Sequence, residues 1–359
     1  MAWSDGYLRT ILNGSKDAIQ QTKHAMDSNG TTIQTGAPLD LTVDYAFCQL
    51  CPRQCGCDRT RQETGVCGES DGCRVASICP HFGEEPPISG TRGSGTVFLT
   101  GCACHCFFCQ NHQISRGDVG EEIAPLELVK RLQSLASRGV HNLNFVTPNH
   151  FLPHLEWVCA ELRRRGVTLP FVHNGSGYMT QTAAARSTRV FEIFLPDFKF
   201  GAPDLAAEII GDPRYPRLAM AALKQMVRDR GFLRPWDPPG DQPATEGVLV
   251  RHLVLPGHVD NSLAVLDMLY REFGPALPLS LMSQYRPMPG CESRGNFARP
   301  LHFDEYEQVR MTVEALGFDH VFLQEMTDEQ GYVPDFKNAD NPFPGNSAPQ
   351  TPKTPNHNP

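Results

Sequence analysis

The chain has 359 residues, thirteen cysteines and a formal net charge of −8. It is long enough for one barrel-sized domain with appendages or for two smaller domains. Its negative charge gives no general attraction to phosphate backbones or anionic lipid, which argues against nucleic acid and membrane partners. The first residues lack the apolar run of a secretory signal and no later stretch suits a membrane span, so we expect a cytoplasmic protein.

The amino-terminal quarter divides into two segments that lack the pattern of a packed core. Residues 1–46 form a polar extension in which we identify no chemistry. Residues 47–95 are rich in Cys, Gly, Pro and Arg, and we expect them to be loop-rich and held together by bound metal. Eleven of the thirteen cysteines lie between Cys48 and Cys109. In a cytosolic chain, this clustering favours metal or redox chemistry over disulfides.

From residue 96 to residue 332, short apolar runs alternate with amphipathic stretches, which is typical of β-α units on a parallel sheet. Strands are predicted at residues 96–99, 142–146, 169–172, 190–195, 248–255, 277–281 and 320–323. Helices are predicted at residues 125–138, 152–165, 203–211, 216–229, 262–273 and 303–316. The pattern indicates an α/β fold, a full or partial β/α barrel with a Cys-rich amino-terminal extension. Its active site is expected at the carboxyl ends of the strands.

Two further stretches lack this alternation. Residues 231–246 are proline-rich and are predicted to form a surface loop or lid. Residues 333–359 are rich in Asn, Pro and Gly and have no apolar periodicity. We therefore predict that they form a disordered tail.

A CxxxCxxC motif follows directly on the first predicted barrel strand, at Cys102, Cys106 and Cys109. Three thiolates spaced in this way can hold a [4Fe–4S] cluster and leave its fourth iron without a protein ligand. S-adenosylmethionine (SAM) can chelate that iron, and an electron from the reduced cluster then cleaves its C–S bond to give a 5′-deoxyadenosyl radical. The alternatives are a closed zinc site completed by Cys104 or His105, and a set of structural thiols.

A second cysteine group lies in the amino-terminal segment and consists of Cys48, Cys51, Cys55 and Cys67. Four thiolates suffice for a closed tetrahedral zinc or for a fully ligated second cluster. We favour a structural metal, whereas a second cluster would relay electrons to the first. The other thiols of the segment are interpreted as unligated, namely Cys57, Cys73 and Cys79.

Over about residues 47–325, the chain resembles the radical SAM superfamily, and particularly the paralogues of the pyruvate formate-lyase activating enzyme. The similar segments are CQLCPRQCG at 48–56, FGEEPPISG at 82–90, GTVFLTGC at 95–102, CQNHQIS at 109–115, FVTPNHF at 145–151, LPDFK at 195–199, RHLVLPG at 251–257 and MSQYRP at 282–287. The resemblance implies a [4Fe–4S] cluster, SAM, and a reductant such as flavodoxin or ferredoxin. It also implies hydrogen abstraction from a substrate, which in the activating enzymes is a glycine of a glycyl radical enzyme.

The resemblance implies SAM contacts on the motif loop and after the third strand. Phe108 fits an aromatic residue that packs near the adenine, and ordinary loop packing is its alternative. Asn174 and Ser176 are placed to approach the ribose and carboxylate, unless residues 174–178 form only a tight turn. Where many relatives carry a Gly-Gly-Glu type segment that meets the SAM amino group, this chain has TPNH at 147–150, which leaves that role to backbone carbonyls.

Charged residues after later strands complete the predicted SAM site. Asp197 and Lys199 resemble an Asp-x-Lys pair that reaches towards SAM and a nearby cation, and a solvated salt bridge is the alternative. Arg251 resembles a residue that meets the SAM carboxylate, with a structural ion pair as the alternative. The histidines near these segments are interpreted as packing or surface residues: His150, His252 and His258.

Three functions remain open from the sequence. The first is a radical SAM activase of a glycyl radical enzyme, and the second is radical SAM modification of a small molecule or of another protein residue. The third is a non-catalytic metal-binding protein that uses the barrel as a scaffold. Anaerobic SAM cleavage separates the first two from the third.

Overall fold

The computed structural model describes residues 42–326 and 333–343. The described residues form ten strands: β1 (Arg74–His81), β2 (Ser94–Leu99), β3 (Glu121–Glu122), β4 (Leu143–Val146), β5 (Phe171–Gly175), β6 (Ile193–Pro196), β7 (Gly247–Val248), β8 (Val250–Leu253), β9 (Leu279–Met282) and β10 (Val321–Leu323). They also form ten α-helices: α1 (Thr42–Tyr45), α2 (Pro86–Ser89), α3 (His112–Ser115), α4 (Pro125–Ser137), α5 (Leu152–Arg164), α6 (Gln181–Ser187), α7 (Pro203–Ile210), α8 (Tyr215–Arg230), α9 (Val259–Phe273) and α10 (Phe303–Leu316). No helix in these ranges has the length and apolar content that a bilayer crossing requires.

The strands form an open β/α barrel. One sheet has the order β3-β1-β2-β4-β5-β6-β7, and a second has the order β10-β9-β8. Strands β2, β4, β5, β6 and β7 pair in parallel, as do β8, β9 and β10, whereas β1 is antiparallel to both β2 and β3. A parallel bridge between Asp197 and Arg251 joins β6 to β8 and continues the curvature from one sheet to the next.

Alternation along the strands divides the core into an outer and an inner layer. On β5, Phe171 belongs to the large cluster that the surrounding helices cover, while Val172 belongs to a separate inner cluster. The outer layer takes the apolar faces of the helices, such as the Leu128–Leu132–Leu135 face of α4. Because both sheet faces are covered, the strands consist mostly of buried residues.

The segment between β1 and β2 lies against the inner face of the sheet. Ile88 of α2 is fully buried with Val172 of β5 in the inner cluster. The Asn142 side-chain amide donates to the Ile88 carbonyl at 2.8 Å. The Cys-rich segment therefore contributes directly to the barrel interior, which its lack of apolar periodicity does not reveal.

The structure adds to or differs from the sequence predictions in three stretches. The expected loop-rich segment 47–95 contains the eight-residue strand β1, which pairs with β2. Residues 231–246 form a partly exposed loop, as predicted, but the loop is anchored to the barrel because Leu233 and Ala244 are buried in the inner cluster. Residues 333–343 of the predicted disordered tail pack on the sheet, where Phe336 and Phe343 contact Phe98. Two aromatic rings supply the apolar area that the composition of the tail does not suggest.

The rest of the tail, 344–359, and most of the polar extension, 1–41, lie outside the described residues.

Candidate functional site

A cavity of about 250 Å³ opens at the carboxyl ends of the parallel strands. Its wall includes every residue predicted for the cluster and for SAM: Cys102, Cys106, Cys109, Phe108, Asn174, Ser176, Asp197, Lys199 and Arg251. Since parallel strands end at one edge of a barrel, residues up to 149 positions apart in sequence meet in this one space. The assignment of these side chains as ligands stays a prediction.

The motif loop is held in place by backbone hydrogen bonds. Gly101, with a φ of 74°, donates its N–H to the Ile114 carbonyl at 2.8 Å. A Cβ at that position would lie 2.7 Å from the Cys67 carbonyl oxygen, so only glycine fits. The Cys102 N–H donates to the same Cys67 carbonyl at 3.2 Å. The motif loop is therefore attached both to the helix that follows it and to the amino-terminal cysteine segment.

The three motif thiols are largely screened from water. Cys106 is buried, and Cys102 and Cys109 are half-buried with their thiols facing the cavity. Burial raises the pKa of the Cys109 thiol. The additional thiol, Cys104, is also buried on the cavity wall, and its N–H donates to the Cys102 Sγ at 3.4 Å.

Phe108 makes the packing contacts considered for it, and it also lines the cavity. Its ring stacks on Phe297 at 5.9 Å between centroids and meets the edge of Tyr285 at 5.7 Å. It also lines the cavity beside Cys109. The ring is therefore fixed by packing and presents one part of its surface to the site.

Asp197 and Lys199 form an ion pair on the cavity wall. Although burial opposes its charged form, the neighbouring Asp197 carboxylate raises the pKa of Lys199. The fully buried Tyr215 of α8 fixes the backbone around them. Its hydroxyl accepts from the Lys199 N–H at 2.9 Å and lies 2.8 Å from the carbonyl oxygens of both Ser176 and Asp197. One hydroxyl thereby connects the ends of β5 and β6.

Arg251 makes an ion pair with two carboxylates that the sequence did not single out. Its Nε donates to Glu85 Oε1 at 2.9 Å, and its terminal nitrogens contact Glu84 and Glu85 and reach Asn174 Oδ1 at 3.2 Å. Both carboxylates belong to the segment between β1 and β2 and line the cavity. The structural ion pair considered for Arg251 is therefore present, and a SAM contact by this residue stays a prediction.

The amino-terminal cysteine group adjoins the motif loop. Cys48, Cys51 and Cys67 are buried and Cys55 is exposed. Burial raises the pKa of Cys51 to about 11 and that of Cys67 to about 12, so binding a metal must displace protons from these thiols. Within residues 42–326 and 333–343, no three Cys, His, Asp or Glu side chains lie close enough to share a single metal ion.

Two of the three histidines serve packing, as interpreted from the sequence. Burial lowers the pKa of His150 to about 3 and that of His252 to about 4, so both rings are neutral near pH 7. His150 Nε2 lies 2.7 Å from the Thr100 carbonyl oxygen, and His252 contacts the Phe198 carbonyl oxygen and the Ser262 hydroxyl. Neither ring lines the cavity.

Sequence reasoning missed several residues of the cavity wall. Gln284 and Gln324 follow β9 and β10, and Pro334 and Phe343 come from the carboxyl-terminal segment. Their position after predicted strands was a usable signal for the two glutamines. The fold of residues 333–343 gave no such signal, because its contacts are made with residues more than 200 positions away, such as Gln113.

The cavity wall fits a [4Fe–4S] cluster and SAM. Three thiols on one short loop are the donor set of a cluster with one open iron. Among the described residues, the buried hydroxyl of Ser115 on the same wall has no hydrogen-bond partner. Charged and amide groups at the ends of β5, β6 and β8 offer partners for the amino, carboxylate and ribose groups of SAM.

The chain is similar to a curated protein and to several solved structures. No protein-family model matches the chain. It is 26% identical over 297 residues to the uncharacterized protein MJ0674 of Methanocaldococcus jannaschii. The aligned region covers 79% of this chain and 80% of that protein.

Among solved structures, the chain is similar to TsrM, a radical S-adenosylmethionine methyltransferase from Kitasatospora setae, with a TM-score of 0.47 and 14% identity over 70% of this chain and 57% of that one. It is similar to the FeFe-hydrogenase maturase HydG from Carboxydothermus hydrogenoformans, with a TM-score of 0.43 and 13% identity over 65% and 52%. It is also similar to methylornithine synthase (PylB), with a TM-score of 0.40 and 15% identity over 62% and 60%. The match spans less than two thirds of each of these solved chains, and the similarity concerns the fold alone.

Proposed function

We propose that the protein is a radical SAM enzyme. The observation that carries this proposal is the meeting of the motif thiols Cys102, Cys106 and Cys109 with polar groups from several strand ends in one cavity. In the proposed site the three thiolates hold a [4Fe–4S] cluster. When reduced, that cluster supplies the electron that cleaves SAM to a 5′-deoxyadenosyl radical for hydrogen abstraction.

The residues of the cavity have separate tasks in this proposal. Asn174 and Ser176 bind the polar groups of SAM, and the Asp197–Lys199 pair presents both signs of charge to its amino and carboxylate groups. Phe108 packs on the adenine. Arg251 keeps Glu84 and Glu85 in place and orients Asn174, whose side chain it contacts. Burial of the thiols excludes water from the site, which protects a reactive radical from side reactions.

The proposal is tested by anaerobic reconstitution followed by assays for iron and for 5′-deoxyadenosine. We expect wild type to bind at least about four irons, to give a reduced EPR signal that SAM shifts, and to form 5′-deoxyadenosine. Cys106→Ala should lose both the signal and the cleavage. Cys159→Ala is the matched control, because Cys159 is buried in α5 and does not line the cavity. A well-loaded, reduced wild type that forms no 5′-deoxyadenosine would contradict the proposal.

We propose in addition that Cys48, Cys51, Cys55 and Cys67 hold a second metal centre. Three of these thiols are buried, and the group is attached to the motif loop through the Cys67 carbonyl. Iron and zinc analysis of wild type and of Cys48→Ala/Cys51→Ala distinguishes the choices. Zinc that disappears in the variant supports a structural zinc, and about eight irons that fall to about four support a second cluster. Equal metal content in both proteins would contradict a second centre.

The finer function that we propose is activation of a glycyl radical enzyme in the cytoplasm, with flavodoxin or ferredoxin as reductant. The sequence resemblance supports this assignment. A stable glycyl radical signal should appear by EPR when the reduced enzyme and SAM are mixed with the partner. Formation of 5′-deoxyadenosine without such a signal for any glycyl radical enzyme of the same organism would instead favour modification of a small molecule or another protein residue.

A further inference from the structure

The hydroxyl of Ser115 is buried beside the motif loop and has no hydrogen-bond partner among the described residues. Ser115 is the last residue of α3 and is 6% exposed. Among the described residues, eight buried side-chain nitrogen or oxygen atoms have no hydrogen-bond partner, and three of them lie between residues 105 and 115: His105 Nε2, His112 Nδ1 and Ser115 Oγ. Buried polar atoms are nearly always paired, so this local concentration requires a reason.

The position of Ser115 is fixed relative to the motif. Its N–H donates to the Asn111 carbonyl at 2.9 Å, and the preceding residue, Ile114, accepts from the Gly101 N–H at 2.8 Å. Ile114 is 2% exposed and packs in the cluster that contains Phe98. These contacts hold α3 against the start of the motif loop, so the Ser115 side chain cannot move away from it without breaking the helix contacts.

The motif cysteine closest in sequence to Ser115 is Cys109, whose carbonyl accepts from the N–H of His112, the first residue of α3, at 3.0 Å. Ser115 and Cys109 line the same cavity. The hydroxyl does not complete a hydrogen bond to the protonated thiol. A thiol is a weak acceptor, whereas a thiolate bound to iron carries negative charge and accepts readily from a hydroxyl.

We propose that Ser115 is a positioning residue that donates a hydrogen bond to the Cys109 thiolate and raises the reduction potential of the cluster. The inference rests on the proposed function, since it requires a cluster on Cys109. A hydrogen bond to a ligating sulfur stabilises the more negative, reduced cluster and so makes reduction easier. Ser115 thereby makes the electron needed for SAM cleavage easier to deliver.

The test is an EPR-monitored redox titration of the reconstituted protein without SAM. Ser115→Ala removes one oxygen atom and should lower the reduced-to-oxidised ratio at a fixed potential about tenfold, which is a midpoint shift of about 59 mV for one electron. Ser115→Thr keeps the hydroxyl and should titrate close to wild type. Ser187→Ala is the control, since the Ser187 hydroxyl of α6 is also buried and unpaired but lies away from the cavity.

The measured midpoints distinguish the Ser115 proposal from the proposed function. A midpoint lowered in Ser115→Ala and retained in Ser115→Thr supports the proposal. A Ser115→Ala protein with full iron content and the wild-type midpoint overturns it and leaves the proposed function standing. If Ser115→Ala does not hold iron, Ser115→Cys, whose thiol is a weak donor, must show the lowered midpoint for the proposal to stand. A wild type that binds no cluster overturns both proposals.

Discussion

Replacement of Arg251 by Met should destabilise the protein strongly, because it leaves two carboxylates in the barrel interior without their cation. Arg251 is 7% exposed, and its partners Glu84 and Glu85 are 8% and 1% exposed. Removing one partner of a buried ion pair costs about 3–5 kcal/mol, mainly because a charge stays buried and unpaired. We expect a loss in this range for Arg251→Met in the free energy of unfolding near pH 7.

Removing the charge of Glu85 as well should restore part of the lost stability. In Arg251→Met/Glu85→Gln only Glu84 remains charged, and Asn144 and Asn174 still donate to it at 2.8 and 3.1 Å. The free energy of unfolding of the double variant should therefore be at least about 1 kcal/mol higher than that of Arg251→Met. A coupling of this size is typical of two residues in direct contact.

The pH dependence has a defined sign. Although burial opposes it, the Arg251 guanidinium holds the pKa of Glu84 below its usual value. In wild type this contribution to stability is present above pH 4.5 and is lost as the pH falls below that value. Without Arg251, the buried Glu84 carboxylate takes up its proton at higher pH, so the deficit of Arg251→Met should shrink between pH 8 and pH 5.

The assay is urea unfolding of the apoprotein under anaerobic, reducing conditions, which keeps the thirteen cysteines reduced. Arg310→Met is the matched control, because Arg310 pairs with Glu307 and Glu314 on the surface of α10, where such a change costs less than about 1 kcal/mol. An Arg251→Met protein within 1 kcal/mol of wild type, or a double variant with no recovery, would refute the reasoning.

Substitutions at three other residues test the geometry of the site. Thr147 has a φ of 60°, which strains a β-branched residue by about 1–2 kcal/mol, so Thr147→Gly should raise the midpoint of urea unfolding and Thr147→Ala should raise it less. An equal or lower midpoint for the glycine variant would contradict strain. Tyr215→Phe should lower the free energy of unfolding by about 1–3 kcal/mol, because the Lys199 N–H loses its acceptor in a buried site. A decrease below about 0.5 kcal/mol would show that water replaces the hydroxyl. His252 is neutral in the fold and protonated when unfolded between about pH 4 and 6.5, so stability should fall with decreasing pH in that window. His252→Gln should reduce proton uptake on unfolding there by about one, as measured from the pH dependence of the unfolding free energy; unchanged uptake would contradict the buried neutral ring.

The barrel strands and most helices could be predicted from local pattern. The predicted strand at residues 96–99 corresponds to β2 (Ser94–Leu99), and the predicted helix at residues 303–316 has the bounds of α10 (Phe303–Leu316). The short helix α6 was missed, because its run of small residues has no strong apolar stripe. Strand β1 was missed because its cysteine, proline and histidine obscure the period of two that marks a strand.

The sequence by itself determined the cysteine motif, the strand after which it falls, and the polar residues that follow later strands. These features are local, since ligand spacing and side-chain periodicity act over a few residues. Only the tertiary structure decided which of these residues share one cavity and what else reaches it. Glu85 pairs with Arg251, 166 positions away, and Phe343 closes part of the cavity wall from the far end of the chain. Such contacts depend on the path of the whole chain around the barrel, and no short-range rule specifies that path.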